Sequence, residues 1–263
     1  MKNYTDINAE AIDSWIEEGW EWGIPITPEA FNKAKKGEWD VLLTPKKPVP
    51  KEWFLPHLKD GNLNGVKLLG LASGGGQQMP IFAALGADCT VLDYSPAQLK
   101  SEELVAAREG YKIDIVRADM TNPLPFADNS FDIIFHPVSN CYVEDVYHVW
   151  QECFRILKPG GVLLSGMDNG INYLFDDEID GKESLSIVNK LPYNPLKNPD
   201  EYKKSVENNW GIQFSHTIEE QVGGQLKAGL TLTHLYEDSG DYGIGEYIPN
   251  FIATRSVKHH ANI

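Results

Sequence analysis

The chain has 263 residues, 42% hydrophobic and 23% charged, which matches a folded globular domain and argues against wholesale disorder. With 38 acidic and 23 basic residues the net charge is −15, so the usual Lys/Arg-driven route to nucleic acid is excluded. No apolar run nears the roughly 18 residues of a membrane span. Three cysteines without a C-x-x-C pair suggest neither a disulfide framework nor a zinc site, and the N-terminus carries no apolar signal segment, so a reduced, cytoplasmic protein without membrane insertion or metal is expected.

In chain order, Ala9 to Trp20 predicts a helix with Ile12, Trp15 and Ile16 on one face. A second helix starts with Thr27 as N-cap and Pro28 in its first position, and ends at Gly37. Three prolines hold Thr44 to Pro50 extended. From Gly65 the texture changes. Val66 to Leu71 is an apolar strand, followed by Gly74-Gly75-Gly76 and a helix from Met79 to Leu85. Cys89 to Leu92 is a second strand, and Ser95-Pro96-Ala97-Gln98 opens the next helix with a capping box. Ile113 to Val116 and Phe131 to Phe135 are the third and fourth strands. A helix from Val146 to Leu157 and the turn Pro159-Gly160-Gly161 lead to a fifth, Val162 to Ser165.

Residues 169–216 break this rhythm and are expected to form an insertion without a clear strand. Thr217-Ile218-Glu219-Glu220 is another capping box, opening a helix to about Ala228. The tail predicts two strands, Leu230 to Tyr236 and Tyr247 to Val257. The loop between them is too short for a crossover helix, so they should pair antiparallel. Strands that read as continuous apolar runs are buried on both faces. The fold class is therefore α/β: a doubly wound, Rossmann-like, mostly parallel seven-stranded sheet ending in an antiparallel pair. One domain is expected, with residues 1–64 as an aromatic cap, 65–168 as the core, 169–216 as the insertion and 217–263 as the closing helix and strands.

Three features carry chemistry. The strand–glycine–helix passage Leu68 to Gln78 brings free N–H groups of a helix start close to a ligand, where a pyrophosphate or carboxylate could sit. Asp93 ends the second strand, seventeen residues after Gly76, where a carboxylate accepts hydrogen bonds from a ribose or caps the following helix. Asp119-Met120 follows the third strand; the acid suits an adenine amino group and the thioether a ring face. The G-x-G-x-x-G/A pattern of a dinucleotide-binding dehydrogenase is not met, because Met79 stands at its last position.

From Val66 to Met167 the chain resembles the class I S-adenosylmethionine-dependent methyltransferases, especially the methyltransferase type 11 group that includes ubiquinone and menaquinone biosynthesis enzymes. The resemblance rests on Ala72 to Gly76, Val91 to Ser95, Asp119-Met120, Leu124 to Asp132 and Arg155 to Gly161. It implies S-adenosyl-L-methionine as cofactor. Ala72, Ser73, Gly74, Gly75, Gly76 and Gln78 would face its methionine part, Asp93 with Tyr94 and Gln98 its ribose, and Asp119 and Met120 its adenine. His136 to Asn140 would line the methyl-transfer end. The chain departs from the family pattern at Gly70, where an acid is usual, and at Ala72-Ser73.

The candidate catalytic residues are His136, Asn140 and Tyr142. His136 is either a base or substrate-orienting group, or a pocket-shaping residue bonded to backbone; Cys141 reads as a small buried residue. Tyr4, Trp15, Trp20 and Trp22 either pack the N-terminal extension onto the sheet or roof the pocket, with Thr44 to Pro50 as a strap. Asn172, Tyr173 and Leu191-Pro192-Tyr193 are candidates for the opposite wall. No Asn/Asp-Pro-Pro-aromatic run follows the fourth strand, which points away from DNA. The expectation is methyl transfer to a small molecule. A cofactor-binding protein without turnover and a nicotinamide-dependent oxidoreductase are the alternatives, and nothing in the sequence specifies an oligomeric state.

Overall fold

The computed structural model describes residues 2–175, 186–240 and 243–260. The apolar runs become strands β1 (Lys67–Leu71), β2 (Asp88–Asp93), β3 (Asp114–Arg117), β4 (Phe131–His136) and β5 (Leu157–Asp168), and the tail supplies β6 (Thr231–Asp238) and β7 (Phe251–Val257). They form one sheet in the order β3-β2-β1-β4-β5-β7-β6. The first five strands pair in parallel, and β7 runs antiparallel to both β5 and β6.

Alternate strand residues feed two separate cores, which explains the unbroken apolar runs. Leu68, Val91, Ile133, Phe135 and Leu164 pack with Phe82 and the N-terminal Leu43, Trp53 and Phe54. Leu69, Leu71, Leu92, Ile134 and Leu163 pack on the other face with Val149, Trp150 and Cys153. Helices α3 (Gln78–Ala84), α4 (Pro96–Glu109) and α5 (Val146–Ile156) provide the crossovers. Ser95 accepts from Gln98 N at 3.1 Å, as its capping box requires. Arg155 joins two of the resemblance segments: its guanidinium grips Glu152 at 2.8 and 2.7 Å and donates to the carbonyls of Phe126 and Leu124.

The periphery departs from the expected boundaries. α1 runs Tyr4–Glu17 rather than from Ala9, because Asn3 caps it by accepting from Thr5 N. α2 (Pro28–Ala34) has the expected Thr27 cap. Within 169–216 the described residues hold a helix not anticipated, α6 (Pro199–Glu207), capped by Asn198; the rest of that insertion includes residues outside the description. The Thr217–Glu220 capping box forms, but it opens a π-turn, Glu219–Gly223, before the short α7 (Gly224–Lys227). Gly224 lies so close to Trp150 that an added Cβ would come within 2.5 Å of its ring. β7 begins at Phe251 instead of Tyr247, since Gly243–Glu246 forms a 3-10 turn. Among the described residues, no helix is long and apolar enough to cross a membrane.

The segment before the sheet is held tightly. A Cβ on Gly166 of β5 would meet the Leu43 carbonyl oxygen at 1.9 Å, so the chain at Leu43 lies directly on the sheet. Just beyond, Asp238 Oδ2 accepts from Thr44 Oγ1 at 2.8 Å and from the amides of Lys46 and Lys47 at 2.9 Å. The proline-rich strap is thereby pinned across the C-terminal end of β5.

Candidate functional site

A cavity of about 340 Å³ opens where the carboxyl ends of β1, β2 and β5 meet the loops after β3 and β4. Ligand crevices of doubly wound sheets form at this edge. α1 roofs it with Thr5, Asn8, Ala9 and Ile12, and Leu43 to Pro45 closes one side.

The glycine loop is shaped mainly by α4 beneath it. Ala72 takes a positive φ of 47° and donates its N–H to Leu92 O at 2.8 Å. A Cβ on Gly74 would lie 2.6 Å from Gln98 Cβ; one on Gly75 would lie 2.6 Å from Trp22 O, and one on Gly76 3.0 Å from Ser101 O. These glycines therefore let the loop press onto α4 and the N-terminal segment. Ala72, Ser73, Gly74 and Gln78 line the cavity, whereas Gly75 and Gly76 are not among its lining residues. Gly76 instead donates to Glu102 Oε1 at 2.8 Å. Burial raises the Glu102 carboxyl to about 8 against that hydrogen bond.

Asp93 stands at the end of β2 and faces the cavity. Its Oδ2 accepts from Gly74 N at 3.1 Å and its Oδ1 from Ser95 N at 3.0 Å, so it ties the glycine loop to the start of α4. Burial raises its pKa, partly offset by those backbone donors. Tyr94, Gln98, Asp119 and Met120 also line the wall. Asp119 Oδ1 accepts from Thr121 N at 2.8 Å and Thr121 Oγ1 at 2.7 Å, which fixes the carboxylate in a turn.

His136 and Asn140 lie behind the wall and are not among the residues lining the cavity. His136 is fully buried at the end of β4. Its Nδ1 donates to Leu71 O at 2.9 Å and its Nε2 sits 2.8 Å from Asn140 Oδ1. Burial lowers the imidazole pKa and holds it neutral, so with Nδ1 protonated Nε2 is an acceptor. A half-turn of both the Asn140 and the Gln221 amides brings the Asn140 N–H to Nε2 and its oxygen to Gln221 Nε2, which otherwise lacks a partner. Both ring nitrogens are thus consumed inside the fold. This is the pocket-shaping reading of His136, with the sheet edge locked to the π-turn through Asn140 and Gln221. Tyr142 does line the cavity, and burial pushes its hydroxyl well above the ordinary tyrosine value.

The aromatic extension divides. Trp20 and Trp22 line the cavity, while Trp15 packs between Trp20 and Tyr142, with ring centroids 5.4 and 6.4 Å away. Tyr4 packs on Phe214 instead. On the far side Asn172 and Tyr173 are lining residues, and Tyr193 stacks behind Tyr173 at 5.6 Å. Gly70, where an acid is usual, faces Met79: a Cβ there would lie 2.6 Å from its sulfur.

Sequence reasoning missed two groups. The roof residues Thr5 and Asn8 fall before the apolar periodicity on which the helix was read. Asp168, at the end of β5, lines the cavity while only 3% exposed. Its position after the apolar run Val162 to Met167 was the available signal, since strand ends face this crevice. Three wall atoms buried from water have no hydrogen-bond partner among the described residues: Thr5 Oγ1, Gln98 Oε1 and Asp168 Oδ2. Such atoms are costly unless a ligand or water satisfies them.

Comparison with known proteins gives a consistent picture. The family described as "Methyltransferase domain" matches residues 69–165. Over 253 residues the chain is 44% identical to the uncharacterized methyltransferase YbaJ of Bacillus subtilis, covering 95% of this chain and 97% of that one. It is 38% identical over 100 residues to a demethylmenaquinone methyltransferase of Paenarthrobacter aurescens, covering 38% of each. In structure it resembles an S-adenosylmethionine-dependent methyltransferase from Mesorhizobium loti, with TM-score 0.60 at 20% identity, covering 78% of this chain and 94% of that one.

Proposed function

The chain belongs to the methyltransferases, of the class I S-adenosylmethionine-dependent type, and from this premise we propose that the cavity under α1 holds the cofactor and a small-molecule acceptor side by side. The observation that carries the reading is Asp93 at the end of β2, bonded to Gly74 N and lining the cavity, with Gln98 in the same wall. A carboxylate at this strand end suits the two ribose hydroxyls.

The residues present fit S-adenosylmethionine. Asp119 and Met120 lie beyond β3 for the adenine, and Ala72 to Gly74 and Gln78 face the methionine part. Two small residues at 72 and 73 keep that floor open. Where the family has an acid in the first strand this chain has Gly70, with Met79 packed against it, so the amino group relies on other partners; unpartnered Thr5 Oγ1 in the roof is one. When bound, the cofactor supplies an activated methyl group on a sulfonium. The protein's part is then to align the acceptor and exclude water, and alignment alone supplies about 7–11 kcal/mol in favourable cases. Tyr142, Tyr173 and the Trp15-backed Trp20 form the dry, mostly apolar wall for this. With a net charge of −15, the acceptor is a small molecule rather than nucleic acid.

The test is a methylation screen. Purified protein with S-adenosylmethionine is incubated with a small-molecule extract, and S-adenosylhomocysteine and mass gains of one methylene are read by mass spectrometry. Product formed with the extract and absent without it supports the reading; none with any extract contradicts turnover on small molecules.

A further inference from the structure

Asp168 has no task in the scheme above, yet its surroundings are those of a working group. It ends β5, on the crevice side of the sheet. Its Oδ1 accepts from Gly170 N at 2.8 Å, which fixes the carboxyl plane, while Oδ2 has no partner among the described residues. The side chain lines the cavity although the residue is almost wholly buried. Purely structural buried carboxylates are paired or fully hydrogen-bonded, because a bare oxygen is expensive. Here one oxygen is held and the other is left without a protein partner among the described residues, on a residue of the cavity wall.

The position is also at the right end. Asp93 and Asp119 serve the nucleoside side, at β2 and β3. Asp168 lies across the sheet, beyond β4. The titratable groups around it are Cys141, Tyr142 and Tyr173, and burial holds all three protonated at neutral pH. Among the described residues, no basic side chain shares the cavity wall. Asp168 is therefore the wall's carboxylate at the acceptor end, framed by two tyrosine rings.

We propose that Asp168 is the general base of the reaction and that the acceptor is a neutral hydroxyl borne on a flat, apolar ring of the phenol type. This rests on the methyltransferase reading of the cavity. The acceptor oxygen forms its bond to the methyl carbon as the bond from carbon to sulfur breaks. The sulfur keeps that electron pair, which leaves S-adenosylhomocysteine neutral. The hydroxyl proton passes to Asp168 Oδ2 and returns to water when the product leaves. The flanking tyrosines select a ring over a flexible chain. A protonated amine fits less well, because it would have to lose a proton before attack and would bring a second cation beside the sulfonium. Burial raises the Asp168 carboxyl to about 6, where it is ionised at neutral pH yet basic enough to take a proton.

The test uses S-adenosylhomocysteine-loaded protein and three coloured probes: 4-nitrophenol, 2-nitrophenol and 4-nitrocatechol. Calorimetry first establishes that wild type, Asp168→Asn and Asp168→Glu bind S-adenosylhomocysteine alike. Loss of this binding in wild type refutes the underlying reading, separately from the present one. Loss confined to the variants assigns Asp168 to cofactor binding and overturns its role as base. In loaded wild type, a bound phenol should be held as O–H against the carboxylate, so its apparent pKa rises by at least one unit and the phenolate colour falls. In Asp168→Asn this rise should vanish. With S-adenosylmethionine, a probe that is methylated should react about 100-fold slower in Asp168→Asn, with partial recovery in Asp168→Glu. Failure of all three probes to bind, an unshifted probe in wild type, or the same shift in both proteins overturns the proposal.

Discussion

The Tyr94 hydroxyl donates to Asp6 Oδ1 at 2.7 Å, joining the loop that follows Asp93 to the helix that roofs the cavity. Seven residues further along α1, Asp13 Oδ1 accepts from Ser95 Oγ at 2.5 Å and from Ala97 N at 3.1 Å. The roof is therefore fastened to the loop between β2 and α4, beside the proposed ribose site. Tyr94→Phe removes one fastening without opening a core cavity. A partly exposed hydrogen bond of this kind contributes about 1 kcal/mol, so cofactor affinity should fall about fivefold at most while Tm falls by only about 2–4 °C. Titration calorimetry with melting curves checks both.

Glu102 predicts a pH dependence of stability. Its folded pKa of about 8 lies above the 4.5 of an ordinary glutamate, because burial outweighs the single bond from Gly76 N. A raised carboxyl gives stability that is complete below the unfolded value and is lost as pH rises toward the folded one. Glu102→Gln keeps an acceptor for Gly76 N and does not titrate. The variant should therefore gain on wild type between pH 4.5 and 8, by up to roughly 5 kcal/mol across the range, and level off above it. Melting curves at a series of pH values decide this; a gap that is flat with pH contradicts it.

His136 should behave as a structural residue. His136→Ala leaves Leu71 O and the Asn140–Gln221 amides unmatched in a buried setting, a loss of about 3 kcal/mol, or a Tm lower by about 6–10 °C. Its folded pKa is depressed, so the unfolded imidazole takes up a proton that the buried one resists as pH falls below about 6.5. The advantage of wild type over the variant should shrink in that acid range. A catalytic base would instead cost turnover with Tm unchanged.

Gly70→Asp, which restores the acid usual in the first strand, should not improve cofactor binding. The new Cβ would lie 2.6 Å from Met79 Sδ, and the carboxylate would be buried without a partner. Thermal melts should show a loss of about 3 kcal/mol or more, and calorimetry no gain in affinity. The pair Gly70→Asp with Met79→Ala should recover part of the stability.

The central sheet was legible because its physics is written in short apolar runs. Leu68 and Leu69 point to opposite cores, and only a strand covered on both faces needs both to be apolar. The antiparallel tail followed from a loop too short for a crossover helix. The start of α1 was not legible, since Thr5 and Asn8 are polar residues buried against the cavity and the insertion: Asn8 Nδ2 donates to Ile212 O at 3.0 Å, a contact 204 residues away in sequence. α6 was missed because its apolar face is weak and only Ser205 in it is buried. Within the site, Asp93 and Gly74 could be paired from their order along the chain. The partners of His136 could not, because Asn140 and Gln221 meet only when β4 and the π-turn are brought together. The roles of Gly75 and Gly76 changed for a similar reason: the close approach they permit is to α4.

The most direct measurement is calorimetric titration of the wild-type protein and Asp93→Ala with S-adenosylmethionine, S-adenosylhomocysteine and NAD(H). Binding of both adenosyl compounds to wild type, weakened at least tenfold in the folded variant, with no binding of the dinucleotide, is the predicted result. Equal adenosyl binding in both proteins would contradict the assignment of Asp93, and preference for the dinucleotide would contradict the cofactor site as a whole.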